Sequence, residues 1–162
     1  MRGDVFLISA GTIHAIGSGA IIAETQENSN VTYRVYDYGR RDKNGNLREL
    51  HFNKAIDVLN LKAGANIRQK TRHVKYFPGC SREILYRCEY FETERICVNK
   101  GFSFSVLNTL FQILMCLEGS GGIETPHSTK VQRFKKGDTI FIPADTGRCH
   151  IIGDTTLLKI RC

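Results

Sequence analysis

The sequence predicts a mainly β protein of the barrel or sandwich class, and three observations lead there. Segments rich in β-branched and aromatic residues recur between Gly, Asn and Asp punctuation: Val5 to Ile8, Ala20 to Glu24, Thr32 to Tyr36, Ile84 to Phe91, Phe111 to Leu117, Thr139 to Ile142 and Leu157 to Ile160. Helical grammar is confined to a single segment. In addition, Gly137-Asp138-Thr139-Ile140-Phe141-Ile142-Pro143-Ala144 repeats the grammar of Gly3-Asp4-Val5-Phe6-Leu7-Ile8-Ser9-Ala10 after 134 residues, which predicts two related units.

The elements follow in order. Lys43-Asn44-Gly45-Asn46 is a turn, because Asn-Gly readily takes positive φ. Asn46 followed three residues later by Glu49 has the form of a capping box, and Leu50, Ala55, Ile56 and Leu59 recur at about helical spacing. A helix is therefore expected from about Leu47 to Leu59. The polar, basic stretch 61–70 reads as a connection. Residues 71–162 are numerous enough for one small β-barrel, whereas 1–60 are too few to close a barrel alone.

Composition narrows the function classes. With 41% hydrophobic and 24% charged residues the chain is an ordinary folding sequence, and no apolar run approaches the roughly 20 residues that span a bilayer. The start, Met-Arg-Gly-Asp, lacks a signal-peptide core, so a cytoplasmic protein without membrane partners is expected. Cys80, Cys88, Cys97, Cys116, Cys149 and Cys162 show no CxxC or zinc-ribbon spacing and are read as reduced thiols, several as small hydrophobes in strands. The net charge of +7 favours anionic partners. Its basic residues are scattered rather than gathered into a patch interleaved with aromatics, which argues against nucleic acid and suits a small phosphorylated ligand.

One motif carries chemistry. Gly3, Ser9, Gly11 and His14 follow the pattern Gly, five residues, Pro, one residue, Gly, two residues, His, with Ser9 at the Pro position. This resembles the second conserved motif of the cupin β-barrel. The match then lengthens through Gly11-Thr12-Ile13-His14-Ala15-Ile16-Gly17, Glu24-Thr25-Gln26-Glu27-Asn28-Ser29-Asn30, Thr32-Tyr33-Arg34-Val35-Tyr36-Asp37-Tyr38, Arg48-Glu49-Leu50-His51 and Lys54-Ala55-Ile56-Asp57-Val58. In order and spacing these resemble class I mannose-6-phosphate isomerases, strongly over residues 1–60 and weakly over the remainder through the Gly137 to Pro143 echo.

The resemblance implies a cupin fold of the jelly-roll type: a C-terminal part of a catalytic cupin unit over 1–60, the connection 61–70, and a metal-free cupin-like barrel over 71–162. It implies the interconversion of mannose 6-phosphate and fructose 6-phosphate through an enediolate, with a zinc ion as Lewis acid. His14 takes the place of a zinc ligand and Arg34 that of an active-site arginine whose fixed cation can stabilise anionic oxygens. For the phosphate, Arg40, Arg41, Lys43 and Arg48 are candidates by charge only, and none is assigned.

Two departures qualify this expectation. Asn30 stands where the family usually has Asp, so no carboxylate role is available there. No Gln-x-His with a later Glu, the source of the other zinc ligands, precedes His14. The second block has His127 and His150, read as surface or core histidines. The expectation is thus the C-terminal part of an isomerase, incomplete or inactive alone, that a second copy or a separate chain completes. The competing expectation is a non-catalytic cupin that binds a sugar or sugar phosphate for regulation.

Overall fold

Within 73–162, alternating apolar and polar residues become eight paired strands. The computed structural model describes residues 3–61, 67–69 and 73–162. The chain divides into two units, Met1–Lys70 and Thr71–Cys162. The second holds β1 (Lys75–Phe77), β2 (Cys80–Arg87), β3 (Glu92–Val98), β4 (Gly101–Val106), β5 (Gln112–Glu124), β6 (Gln132–Lys135), β7 (Thr139–Ile142) and β8 (Gly147–Arg161). These form one antiparallel array in the order β1-β2-β3-β8-β5-β6, with β4 also on β8 and β7 also on β5. The array is not closed. Mainly β architecture of the cupin type is therefore what the chain adopts.

The β5–β8 ladder carries a bulge between Cys116 and Glu118. There Gly119 takes φ +76°, and a Cβ on it would lie 2.1 Å from the Asp154 carbonyl oxygen, so only glycine lets the two strands approach. Of the expected strands, Thr139 to Ile142 coincides with β7, while Phe111 to Leu117 and Leu157 to Ile160 fall largely inside β5 and β8. Ile84 to Phe91 is instead interrupted. Its first half ends β2, and a turn closed by the Cys88 N–H on the Phe91 carbonyl (3.0 Å) leads into β3.

Residues directly opposite in register share a face of the sheet, which identifies an interior lined at one end by apolar side chains. Ile96 lies opposite Leu157, and Leu157 opposite Cys116; all three are buried. Two positions further along the same face the lining changes character. Glu94 lies opposite Lys159, and Lys159 opposite Leu114. Both charged residues are buried, and Glu94 takes the Arg82 guanidinium through bonds of 2.7 and 2.9 Å and holds the Lys159 ammonium at 3.8 Å. The stacked rings of Phe102 and Phe104 form the floor: Arg82 sits 5.3 Å from the first and Lys159 5.2 Å from the second. Next to them Glu92 is pushed up by burial, but its pairs with Arg161 and Arg87 outweigh that and hold its carboxyl below the ordinary range.

The first unit follows a different logic. Val5 to Ile8, Ala20 to Glu24 and Thr32 to Tyr36, expected as strands, do not form them. A strand needs a partner for its backbone groups, and among the described residues of this unit the β-pairing is limited to the isolated bridges Phe6 with Arg68 and Arg41 with Leu47. Around the first, Leu7 donates to the Ile67 carbonyl (2.9 Å) and Gln69 to that of Val5 (2.8 Å), so 67–69, expected within the connection, lie beside 5–7. The rest of that connection, 62–66 and 70, lies outside the described residues.

The helix is shorter than expected. α1 runs over Phe52–Val58 with His51 at its N-cap and no side-chain cap bond. Asn46 cannot start it, because its backbone is committed elsewhere: its N–H donates to Asp42 Oδ1 (2.9 Å) and its carbonyl accepts from the Asp42 N–H (2.8 Å). The Asn44-Gly45 turn is thereby formed as expected, with Gly45 at φ +83°. Ala55 is the one buried hydrophobic residue among the described residues of this unit, and Ile21 is 98% exposed.

The interior cation yields a pH prediction. Burial lowers the Lys159 ammonium below the ordinary lysine value, against the opposing pull of Glu94. Between that lowered value and the unfolded one, the unfolded chain binds the extra proton, so stability rises with pH over the window. Urea unfolding of the wild type through this alkaline window should show the rise, and Lys159→Met should lack it.

Candidate functional site

His14 owes its position to a turn and a glycine. The Thr12 N–H donates to the Ser9 carbonyl (3.1 Å), Gly11 takes φ +80°, and the Gly11 carbonyl accepts from the Asn60 N–H (3.0 Å) just beyond α1. A Cβ on Gly11 would lie 2.5 Å from the Val58 carbonyl oxygen, so this contact demands glycine. Three residues further on, His14 Nδ1 lies 2.9 Å from the Thr12 carbonyl oxygen. A carbonyl only accepts, so Nδ1 carries the proton. In neutral His14 this leaves the Nε2 lone pair free on an exposed ring, the tautomer a metal ligand requires.

The fit to zinc stops at that one donor. Among the described residues no group of three or more His, Cys, Asp or Glu side chains could hold a metal ion. A four-coordinate shell needs more than His14 supplies. His127 is exposed, and His150 is half-buried with Nδ1 2.8 Å from Ser103 Oγ. Asn30 lies in an exposed loop.

Arg34 is fastened at both backbone and side chain. Its N–H donates to His51 Nδ1 (3.2 Å), its carbonyl accepts from the His51 N–H (2.7 Å), and the Tyr33 ring lies 6.3 Å from that of His51. Its guanidinium donates from Nη1 to the Glu49 carbonyl (3.1 Å) and places Nε 3.8 Å from Asp37 Oδ1. The side chain is 18% exposed, a half-buried cation with a defined direction.

Asp37 gathers a second set of charges. The turn Asp37-Tyr38-Gly39-Arg40 is closed by the Arg40 N–H on the Asp37 carbonyl (2.9 Å), with Tyr38 at φ +54° and Gly39 at φ +67°, the primed-turn geometry. It folds Arg40 back onto the Asp37 carboxylate, which accepts from both Nε and Nη2. Arg48 arrives after the Arg41–Leu47 bridge and sets its Nε 3.5 Å from Oδ2. Of the four phosphate candidates named by charge, Arg40 and Arg48 thus converge with Arg34 on one buried carboxylate. Arg41 donates to the Gly45 carbonyl (2.7 Å), and Lys43 is exposed. Asp37 itself was not singled out from the sequence. Its signal is its spacing, three residues after Arg34 and three before Arg40, beside Tyr38-Gly39.

Comparison with known proteins places the chain in a family. Residues 82–162, half of the chain, match the family described as mannose-6-phosphate isomerase, cupin domain. The chain belongs to that family. It is 36% identical over 157 residues to the putative mannose-6-phosphate isomerase YvyI of Bacillus subtilis strain 168, covering 96% of this chain and 48% of the relative. To mannose-6-phosphate isomerase ManA of the same strain it is 34% identical over 151 residues, covering 93% and 46%. The crystal structure of mannose 6-phosphate isomerase from Bacillus subtilis superposes with a TM-score of 0.69 at 32% identity, over 82% of this chain and 41% of that one. The chain spans about half the length of the curated relatives it matches.

The Gly11 contact can be tested directly. Gly11→Ala forces a left-handed backbone on a residue with a Cβ, a cost of about 1–2 kcal/mol before the clash with Val58 is counted. Hydrogen exchange at the Asn60 amide should become at least about tenfold faster, with the amides of β5 and β8 unaffected.

Proposed function

We propose that this chain forms the C-terminal half of a mannose-6-phosphate isomerase, and that Arg34 is its contribution to catalysis. The observation that carries this reading is the double anchoring of Arg34, by His51 through the backbone and by Asp37 and Glu49 through the guanidinium, within a chain of this family. Isomerisation between an aldose and a ketose passes through an anionic enediolate. A fixed guanidinium lowers the cost of that charge without changing protonation, and it does so best when it need not reorganise as the charge develops.

The substrate class follows from the family, and the charge suits it. The segment from Arg34 to Glu49 holds five cationic and three anionic side chains, a net +2 that complements a phosphate monoester. His14 offers one donor to the zinc expected from the family. The remaining donors come from polypeptide outside the described residues, so no metal-dependent step is assigned to this chain by itself.

The completing polypeptide also answers the state of the first unit. Ile16, Ile21, Ile22, Val31 and Leu61 are all more than half exposed, and the β-prone segments around them form no strand among the described residues. A second copy or a separate chain that pairs with these segments would cover them. The lone His14 donor is the specific observation that favours the second reading, a non-catalytic cupin that retains sugar-phosphate binding.

Zinc analysis and turnover separate the two readings. The chain alone should hold well under one zinc per molecule and show no isomerase activity, and co-expression with the complementary half of a relative should restore both. In that assembly His14→Ala should lose zinc and activity together, while Arg34→Ala should keep zinc and lower kcat by roughly 100- to 1000-fold. Unchanged turnover in Arg34→Ala would remove Arg34 from the reaction. An assembly that binds mannose 6-phosphate without converting it would establish the non-catalytic reading.

A further inference from the structure

We propose that Asp37 is the positioning residue of this site: its buried carboxylate aims the Arg34 guanidinium by holding Arg34, Arg40 and Arg48 around a single anion. The proposal rests on the isomerase reading of Arg34 for its catalytic consequence, and on the geometry alone for the positioning.

Three guanidiniums around one carboxylate repel one another unless that carboxylate lies buried and central among them. Asp37 meets the requirement. It is 6% exposed, Arg40 occupies Oδ1, and Arg48 faces Oδ2, which accepts no hydrogen bond in the structure. Arg34 approaches Oδ1 from the remaining side at 3.8 Å, while its Nη1 is committed to the Glu49 carbonyl. That leaves Nη2 without a hydrogen-bond partner among the described residues, as the free donor edge for a substrate oxygen.

The backbone carries an independent sign of purpose. Tyr38 occupies the left-handed region, an unfavourable conformation for a residue with a bulky side chain. Glycine would serve a primed turn better, so the turn is held by what surrounds it, and what it delivers is Arg40 onto Asp37. Arg40 and Arg48 are 62% and 41% exposed and the carboxylate beneath them is not, so the anion is shielded on its open side by cations. Lacking the carboxylate, three like charges separate and Arg34 loses the partner that directs Nε, while the Glu49 carbonyl alone permits rotation about the Nη1 contact.

Two measurements test this. In the full chain, 15N NMR of arginine Nε–H groups should show slowly exchanging Arg34 and Arg40 signals. Asp37→Asn should move both to the positions of solvent-exposed arginine, and Asp37→Glu should retain them. The buried Ala55 methyl and the hydrogen-bonded Asn60 amide, in the same unit as Asp37, serve as the control for folding. An Arg34 Nε–H signal unchanged in Asp37→Asn overturns the positioning.

In the assembled isomerase, Asp37→Asn should lower kcat roughly 10- to 100-fold, with KM changed less than about threefold and bound zinc unchanged, and Asp37→Glu should recover part of the loss. A purely structural role would instead lower the amount of folded enzyme and leave kcat per folded molecule intact, an outcome that overturns the proposal. If the wild-type assembly converts no substrate, the isomerase reading has failed, and the NMR result still decides whether Asp37 positions Arg34.

Discussion

The antiparallel pairing of β5 with β8, from Gln112 opposite Arg161 to Glu124 opposite His150, is the constraint on which the rest of Thr71–Cys162 depends. β8 gives its other edge to β4 over Gly147–Ile152 and to β3 over Thr155–Arg161, and β5 gives its other edge to β7 and then β6. Two long strands thereby recruit four of the remaining six directly, and β2 and then β1 join through β3. The bulge at Cys116/Glu118 and the close approach at Gly119 let this pair bend, so that β4 with Phe102 and Phe104 comes to lie over charges carried by β2, β3 and β8.

That bend explains how a small β domain tolerates Glu94 and Lys159 in its interior. Each charge taken from water needs a partner, and Glu94 serves both Arg82 and Lys159 while the aromatic faces take up the rest of the cationic surface. Burial also pushes the Cys80 and Cys149 thiols up, away from the reactive thiolate, and the six cysteines are free. The sulfur atoms of Cys80, Cys116 and Cys149 thus act as packing groups within the core.

The first unit achieves order by other means. Its turns at Ser9–Thr12, Asp37–Arg40 and Asp42–Asn46 are local, each closed within a few residues, and they position His14, Arg40 and Arg48 with little buried apolar surface beneath them. Asp42 illustrates the economy of this design: N–H groups of Asn46 and Asn44 donate to its carboxylate and hold it below the ordinary range on a fully exposed loop. Arg34 and His51 are joined across seventeen residues, and through them the loop containing Asp37 is tied to the start of α1.

The sequence by itself determined what local chemistry dictates: the mainly β class, the Asn44-Gly45 turn, and β7 from Thr139 to Ile142. Each is encoded within a few residues, by glycine at positive φ or by a short run of β-branched side chains. The tertiary structure alone decided which β-prone segments became strands, that α1 begins after His51 rather than at Leu47, that Glu94 and Lys159 face inward, and that Asp37 collects three arginines. Those outcomes depend on partners distant in the chain. Val5 to Ile8 and Thr139 to Ile142 share one grammar, and they diverge because the second finds β5 alongside it while the first, among the described residues, finds only Ile67 to Gln69.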